Sequence, residues 1–435
     1  MYDIMVICLL VATSIVLYYR NLWSGSESGA PIVRSLIPWV GDAIPYGKDP
    51  MKYFARCRER YGSAFKVLLA GRTITIICDA KGIDSVFRDK TKAFNTHPVH
   101  LQLAQALGGV KRAADIIQIL NQRLFPLVTR SLSRDKMDHF VPSLNEGLFR
   151  SVEAMAKKAR DTPGGASFSL MPLIGESLYG AISQATFGPH YPIETYPDFE
   201  TCDSDLVLLL ARIPMLGRKA SRAQARILRA ITDYIDEASS EGPTKGAPPM
   251  AMEMLSVLKD ADLEKSDIAG TLLTIIWGMM SNTIHIPYWL MVFLLNDPSA
   301  ATKIREEVDS ELREHFGGDL KRLLAAPFTA VDDHFPLIDS AIKETLRMAI
   351  LLSALREAHA DTEVISETGK IRIRKGEMIM ANVAAVHTDE RYFENPETFR
   401  VDRFMGTERK KSSHWGFGGG THLASSIHQL NLGPY

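Results

Sequence analysis

Between residues 50 and 61 (PMKYFARCRERY) apolar side chains recur at helical spacing, with Tyr53, Phe54 and Cys57 on one face and Arg56, Arg58 and Glu59 on the other. That period predicts an amphipathic helix. The pattern then changes to β-rich runs, Ala64 to Leu69 and Thr73 to Cys78, joined by Ala70-Gly71-Arg72, which is the spacing of a hairpin. From Gly82 to about Tyr234 the periodicity is mostly helical. It breaks at Pro163-Gly164-Gly165 and around Pro189 to Pro197, and Glu241 to Pro249 (EGPTKGAPP) is a breaker-rich loop. A long helix is predicted from near Ser266, capped by Ser266-Asp267, to Asn296 before Asp297-Pro298. Charged helices follow at 299–315 and 336–349. Strands return within 363–381, with alternation from Lys370 to Arg374 and a turn at Thr368-Gly369.

These elements predict a mainly α, α+β chain with a small β portion split between its two ends. Strands so far apart must pair over long range, so residues 39–435 are read as one domain. The N-terminal run Ile4 to Tyr19 (IMVICLLVATSIVLYY) is uncharged and ends at Arg20. It is at the short end for a membrane-spanning helix. A signal peptide and a buried core helix are the rival readings. No Lys or Arg precedes the run, and positive charge follows at Arg20 and Arg34. That favours a retained anchor over residues 1–20 with the rest of the chain cytosolic. Residues 21–38, with a polar SGSESGA stretch and then Pro31 and Pro38, form a linker and stiff hinge.

Composition narrows function little. The 435 residues are 46% hydrophobic with a net charge of -1, so there is ample core material and no basic bias toward nucleic acid. The four cysteines (Cys8, Cys57, Cys78, Cys202) are scattered, with neither a zinc-like cluster nor a disulfide framework.

Two constellations carry more. Glu344 and Arg347 in Lys343-Glu344-Thr345-Leu346-Arg347 lie three apart, on one helical face. A solvated pair of that kind contributes little. Here Pro336, Leu337, Ile338, Ala341, Ile342 and Leu346 surround it, and a buried pair needs further partners. Arg403, in Phe399-Arg400-Val401-Asp402-Arg403-Phe404, is a candidate. The second constellation is Trp415-Gly416-Phe417-Gly418-Gly419-Gly420-Thr421-His422-Leu423, whose glycines allow close backbone approach to a ligand. It does not match the phosphate-binding G-x-x-x-x-G-K-[ST] pattern.

An E-x-x-R helix, a hairpin, F-x-x-x-R-F and F-G-G-G-T-H-L, in that order, resemble the C-terminal third of cytochromes P450. The anchor, proline hinge, first hairpin and central helix also fall where that family has them. The resemblance implies the cytochrome P450 fold, a haem (heme) iron cofactor, and oxidation of a lipophilic small molecule by O2. It implies electrons from a separate NADPH-dependent reductase and an endoplasmic reticulum membrane location; no flavin or nicotinamide fingerprint is visible in the chain. Glu344, Arg347 and Arg403 match the family's haem-side triad, and Phe417, Gly418, Gly420 and His422 match the loop that wraps the proximal face. The thiolate of that loop pushes electron density onto iron and favours O–O cleavage.

At the family's cysteine position this chain carries Ala424, with Ser426 at the glycine that follows. The tail ASSIHQLNLGPY lacks the family pattern throughout. Agreement up to Leu423 and none beyond implies an abrupt change: a shifted frame, a skipped exon or an unspliced intron. A truncated, non-catalytic family member, or an incorrect gene model, is therefore the alternative to an active enzyme. His422 and His428 are the nearby imidazoles, and neither is expected to ligate iron.

The central helix departs as well. Trp277-Gly278-Met279-Met280-Ser281-Asn282-Thr283 places Ser281 and Asn282 where family members usually have an acid and a threonine. This W-x-x-x-x-N-T pattern resembles the branch of sterol 7α-hydroxylases and prostacyclin synthase, which points to a sterol, terpenoid or lipid substrate. Asn282 and Thr283 are the implied catalytic positions. Asn282 donates and accepts hydrogen bonds but does not relay a proton by ionising, so hydroxylation and peroxide rearrangement both stay open. Trp277, Met279 and Met280 are read as core. The family's W-x-x-x-R propionate pair is absent; Arg123, Arg130 and Arg134 are stand-ins or a charged face.

Overall fold

The computed structural model describes Thr13 and residues 29–35, 37, 39–89, 91–211, 217–240, 248–331, 333–349, 353–406 and 414–416. Asp49 starts the helix Pro50–Tyr61 (α1), its carboxylate accepting from the Lys52 amide at 3.0 Å with Pro50 in the first turn. Tyr53, Phe54 and Cys57 are its buried face, as the spacing predicts. Strands Ala64–Leu69 (β1) and Arg72–Ile77 (β2) follow. They pair antiparallel through a two-residue turn, with Ala70 at φ 47° and Gly71 at φ 81°, the left-handed pair a tight hairpin turn demands. In chain order the later elements used below are Ala80–Phe87 (α2), Phe94–Asn95 (β3), Arg134–Asp161 (α3), Leu170–Phe187 (α4) and Arg218–Ser240 (α5). Lys265–Met280 (α6), His285–Asn296 (α7), Pro298–Phe316 (α8) and Pro336–Ala349 (α9) come next. The strands Ser353–Ala358 (β4), Thr362–Ser366 (β5), Gly369–Ile373 (β6) and Met378–Asn382 (β7) and the helix Val383–His387 (α10) complete the set.

The residues group into two compact units, each assembled from separate stretches of chain. The first takes its described residues from 1–99, 346–399 and 411–424. Its five-stranded sheet runs β1-β2-β7-β4-β3, and β5 pairs with β6 alone. The parallel pairing of β2 with β7, Ile76 opposite Met380, is the long-range closure that the split β content required. One face buries Phe65, Val67 and Ile76 together with Tyr53 and Phe54. The other face packs Ile77 and Ile379 with Ile83, Val364 and Ile371. Asp389 ties α1 to the segment after α10: Arg58 donates both to it and to the Ala385 carbonyl, and Arg391 Nη2 reaches it at 2.9 Å.

Burial pushes the Asp389 carboxyl up, but the Arg391 and Arg58 hydrogen bonds outweigh it and hold it at about 2. A carboxylate depressed in the folded state stabilises above its unfolded value of about 4 and loses that contribution as pH falls toward 2. Because Arg391 is half exposed, about 1–2 kcal/mol is expected rather than the full linkage value. In urea unfolding, the stability gap between the chain and Asp389→Asn should narrow as the pH is lowered from about 5 to 3. A gap independent of pH would show the carboxylate contributes nothing through its charge.

The second unit takes its described residues from 100–345 and 400–406. Its core is helical, with Tyr179, Ile227, Ile231, Leu272, Leu273, Ile276 and Met280 fully or nearly buried. The central helix differs from the expectation of one run over 266–296. It is two helices, α6 and α7, separated by a turn at 281–284. Pro287 has no amide hydrogen for the Thr283 carbonyl, so the hydrogen-bond ladder fails there. The expected cap is also different: Glu264 is the N-cap residue. Asp267 is instead buried, accepting from the Lys111 and Arg112 amides at 2.8 and 3.3 Å.

Among the described residues no helix is long and apolar enough to cross a membrane. The predicted anchor over 1–20 lies outside them, Thr13 apart, as do linker residues 21–28, 36 and 38.

Candidate functional site

Helix α9 is amphipathic, and its N-terminal amides at Leu337 and Ile338 donate to the two carboxylate oxygens of Glu307 at 2.7 and 3.0 Å. That cap also places negative charge at the positive end of the helix dipole. Two turns on, Glu344 is fully buried. Its Oε1 accepts from Arg403 Nε at 2.8 Å and from the Arg400 amide at 3.2 Å. The Phe404 amide donates to Ser340 Oγ at 2.9 Å. One face of α9 thus fastens residues 400–404 through a buried ion pair whose lone pairs are shared with backbone, the condition under which such a pair is tolerable. Glu344 and Arg403 therefore meet.

In the first unit Arg347 is buried, with Nη1 donating to the His387 carbonyl at 2.7 Å and its guanidinium 5.3 Å from the Phe393 ring centroid. His387 Nε2 accepts from the Trp415 amide at 3.3 Å, and its ring stacks on His414 at 5.4 Å and 12°. Burial, with His414 and Arg347 adding to it, drives the His387 pKa well below its ordinary value. The ring is neutral, and with Nε2 accepting, its proton belongs on Nδ1. That buried Nδ1 has no hydrogen-bond partner among the described residues. Gly416 lies against α9, where an added Cβ would fall 2.8 Å from Leu346 Cβ; a side chain there would push the loop away. Phe417, Gly418, Gly420, His422 and Ala424 lie outside the described residues.

Arg356 is a candidate site residue that no sequence motif singles out. On β4 its half-buried guanidinium donates from Nη1 to the Leu355 carbonyl at 3.0 Å. Among the described residues no carboxylate lies within ion-pairing distance of it. Burial lowers its pKa, so an incoming anion would relieve a desolvated cation. Two of the three stand-ins are engaged elsewhere: Arg130 pairs with Glu253 at 2.8 Å, and Arg134 lies beside Asp333 and the Phe328 ring. In a β-rich run Arg356 looks like any alternating charge, and only the absence of a carboxylate partner among the described residues distinguishes it.

On the interrupted central helix Asn282 is exposed, and Thr283 is half-buried with Oγ1 donating to the Met279 carbonyl at 2.6 Å. Met280 is fully buried, and Trp277 and Met279 pack against the same core. Trp277 Nε1 donates to Asp203 Oδ1 at 2.7 Å. Burial raises the Asp203 carboxyl, while the Trp277 hydrogen bond and His285 pull it down. This acid reaches the Trp277 turn from another helix and carries no motif that would have identified it.

The residues present do not fit a thiolate-ligated haem. Arg356 offers a cation suited to a propionate carboxylate, but none of the described cysteines offers a thiolate. Cys57, Cys78 and Cys202 are all buried free thiols. Burial pushes Cys78 and Cys202 up to about 12, which keeps them protonated, and only the thiolate is a metal ligand.

The family model for cytochrome P450 matches residues 31–423, and the chain belongs to that family of haem-iron monooxygenases. The match ends one residue before Ala424. Lanosterol 14-alpha demethylase of Candida tropicalis is 24% identical over 91% of this chain and 76% of its own length. A 25-hydroxycholesterol 7-alpha-hydroxylase of Rattus norvegicus is 31% identical over 55% of this chain and 57% of its own length, in agreement with the branch read from the central helix. Among solved structures, the retinoic-acid-bound cyanobacterial CYP120A1 superposes with a TM-score of 0.72 at 18% identity, covering 92% of this chain and 88% of that one.

Proposed function

We propose that this chain belongs to an enzyme that oxidises a lipophilic small molecule of the sterol, terpenoid or lipid class, using haem iron and O2. The observation that carries the reading is the family match over 31–423 together with relatives named for sterols. In the enzyme with its cysteine in place, haem would supply the oxygen-activating iron. Arg356 would hold one of its carboxylates, Glu344 and Arg403 brace the 400–404 segment, and Asn282 and Thr283 are the polar positions proposed for the substrate side. The domain over 39–435 sits behind an anchor at 1–20 in the endoplasmic reticulum membrane and takes electrons from an NADPH-dependent reductase; the uncharged run Ile4 to Tyr19 followed by Arg20 supports that placement.

A second reading concerns this exact chain, and Ala424 favours it. With alanine at the family's cysteine position, the chain is a non-catalytic form of that enzyme, or the product of an incorrect gene model. Reduction under carbon monoxide of the full chain, expressed with added haem precursor, should give no thiolate-type absorbance shift. A thiolate-type band would overturn this second reading and leave the first standing. Sequencing the gene beyond the Leu423 codon tests the first: a splice restoring Cys-x-Gly and a following helix is expected, and its absence would leave no route to an active enzyme.

A further inference from the structure

Helix α8 presents Glu307, Glu311 and His315 four residues apart, on one face. Glu307 caps α9, and this holds the segment just before that helix against the C-terminal turns of α8. His334, two residues before Pro336, is thereby fixed with Nδ1 2.8 Å from Glu311 Oε2. His315 Nε2 approaches the same oxygen at 3.4 Å. The two imidazole rings lie 4.4 Å apart, tilted by 56°. One ligand-type atom from each of the three residues falls within 4.8 Å of the other two.

We propose that Glu311, His315 and His334 form a binding site for a zinc-class divalent cation. A tetrahedral ion with nitrogen and oxygen ligands at about 2.1 Å sets its ligand atoms about 3.4 Å apart; His315 Nε2 stands at that distance from Glu311 Oε2, and His334 Nδ1, at 2.8 Å, needs to move outward by only about 0.6 Å. Two imidazoles and one carboxylate suit zinc, cobalt, nickel or copper rather than magnesium or calcium, which take oxygen ligands. Glu311 is about three-quarters covered, while His315 leaves one side open to solvent. Three protein ligands leave a fourth position for water. Bound there, the cation ties the end of α8 to the start of α9, the helix that carries Glu344. The site uses no residue of the haem-side constellation.

The full chain, stripped of metal and titrated with zinc chloride alone, is expected to take up one zinc per chain and to melt at a higher temperature with it. His315→Ala and His334→Ala should each weaken uptake at least about tenfold, with the double variant losing it. Cobalt(II) should develop the intense visible bands of a four-coordinate site in the parent chain and not in the double variant. Glu311→Gln keeps the side-chain shape and serves where a histidine variant does not fold; it too should weaken binding. Equal zinc affinity in the parent and the double variant, or no saturable uptake by the parent, would overturn the proposal.

Discussion

Glu344→Ala is expected to lower the stability of the chain by about 3–5 kcal/mol, because it removes the buried carboxylate that faces the Arg403 guanidinium, itself only 4% exposed. The Arg400 amide loses its acceptor in the same step. The cost comes from the partner left behind more than from the worth of the pair. Glu344→Leu combined with Arg403→Met should therefore recover most of the loss, since exchanging both members of a buried pair for apolar groups of similar size is often nearly neutral. Equilibrium urea unfolding of the parent, the single variant and the double variant separates these terms. A single-variant loss under about 1 kcal/mol, the range of an exposed pair, would show that the site is open to water in solution.

The second large effect concerns Asp79, which is fully buried and caps α2 through the Gly82 amide at 2.8 Å. The same carboxylate accepts from Ser366 Oγ at 2.5 Å and from the Glu367 amide at 3.1 Å. One side chain thus holds the start of α2 and the turn between β5 and β6. Asp79→Ala removes a cap and leaves buried donors unpaired, for an expected loss of about 2–4 kcal/mol. Asp79→Asn keeps one acceptor oxygen and should lose about half as much. Because β5 and β6 pair only with each other, the loosening should be local. Amide exchange at Ile365 to Gly369 is expected to accelerate well beyond that of β2 and β7. Unchanged exchange in that hairpin would mean that its packing holds it without Asp79.

Much of this arrangement is legible in the chain itself. The α1 periodicity, the Ala70-Gly71 turn and the charged helix at 336–349 follow from local spacing and from turn and helix preferences, which act over a few residues. The family followed from the order of motifs between Glu344 and His422. Pro287 was also in plain view, and it signals the break between α6 and α7 that the expectation of one continuous helix passed over.

Other features became visible only in three dimensions. Asp79 reads as an ordinary helix cap until the fold brings Ser366 to it across 287 positions. Arg356 reads as a strand charge until the fold shows no carboxylate among the described residues within ion-pairing distance of it. Glu311, His315 and His334 are unremarkable one by one, and the cap from Glu307 to α9 is what gathers them.

What the sequence by itself determined is the family, the local elements and the alanine at 424, because each of these is a matter of residue identity and short spacing. The tertiary structure alone decided the parallel register of β2 with β7, the pairing of Glu344 with Arg403 rather than with a surface charge, and the gathering of two histidines around Glu311. Those outcomes depend on which buried charges and donors find partners once the backbone closes over hundreds of residues, and local pattern carries no record of that.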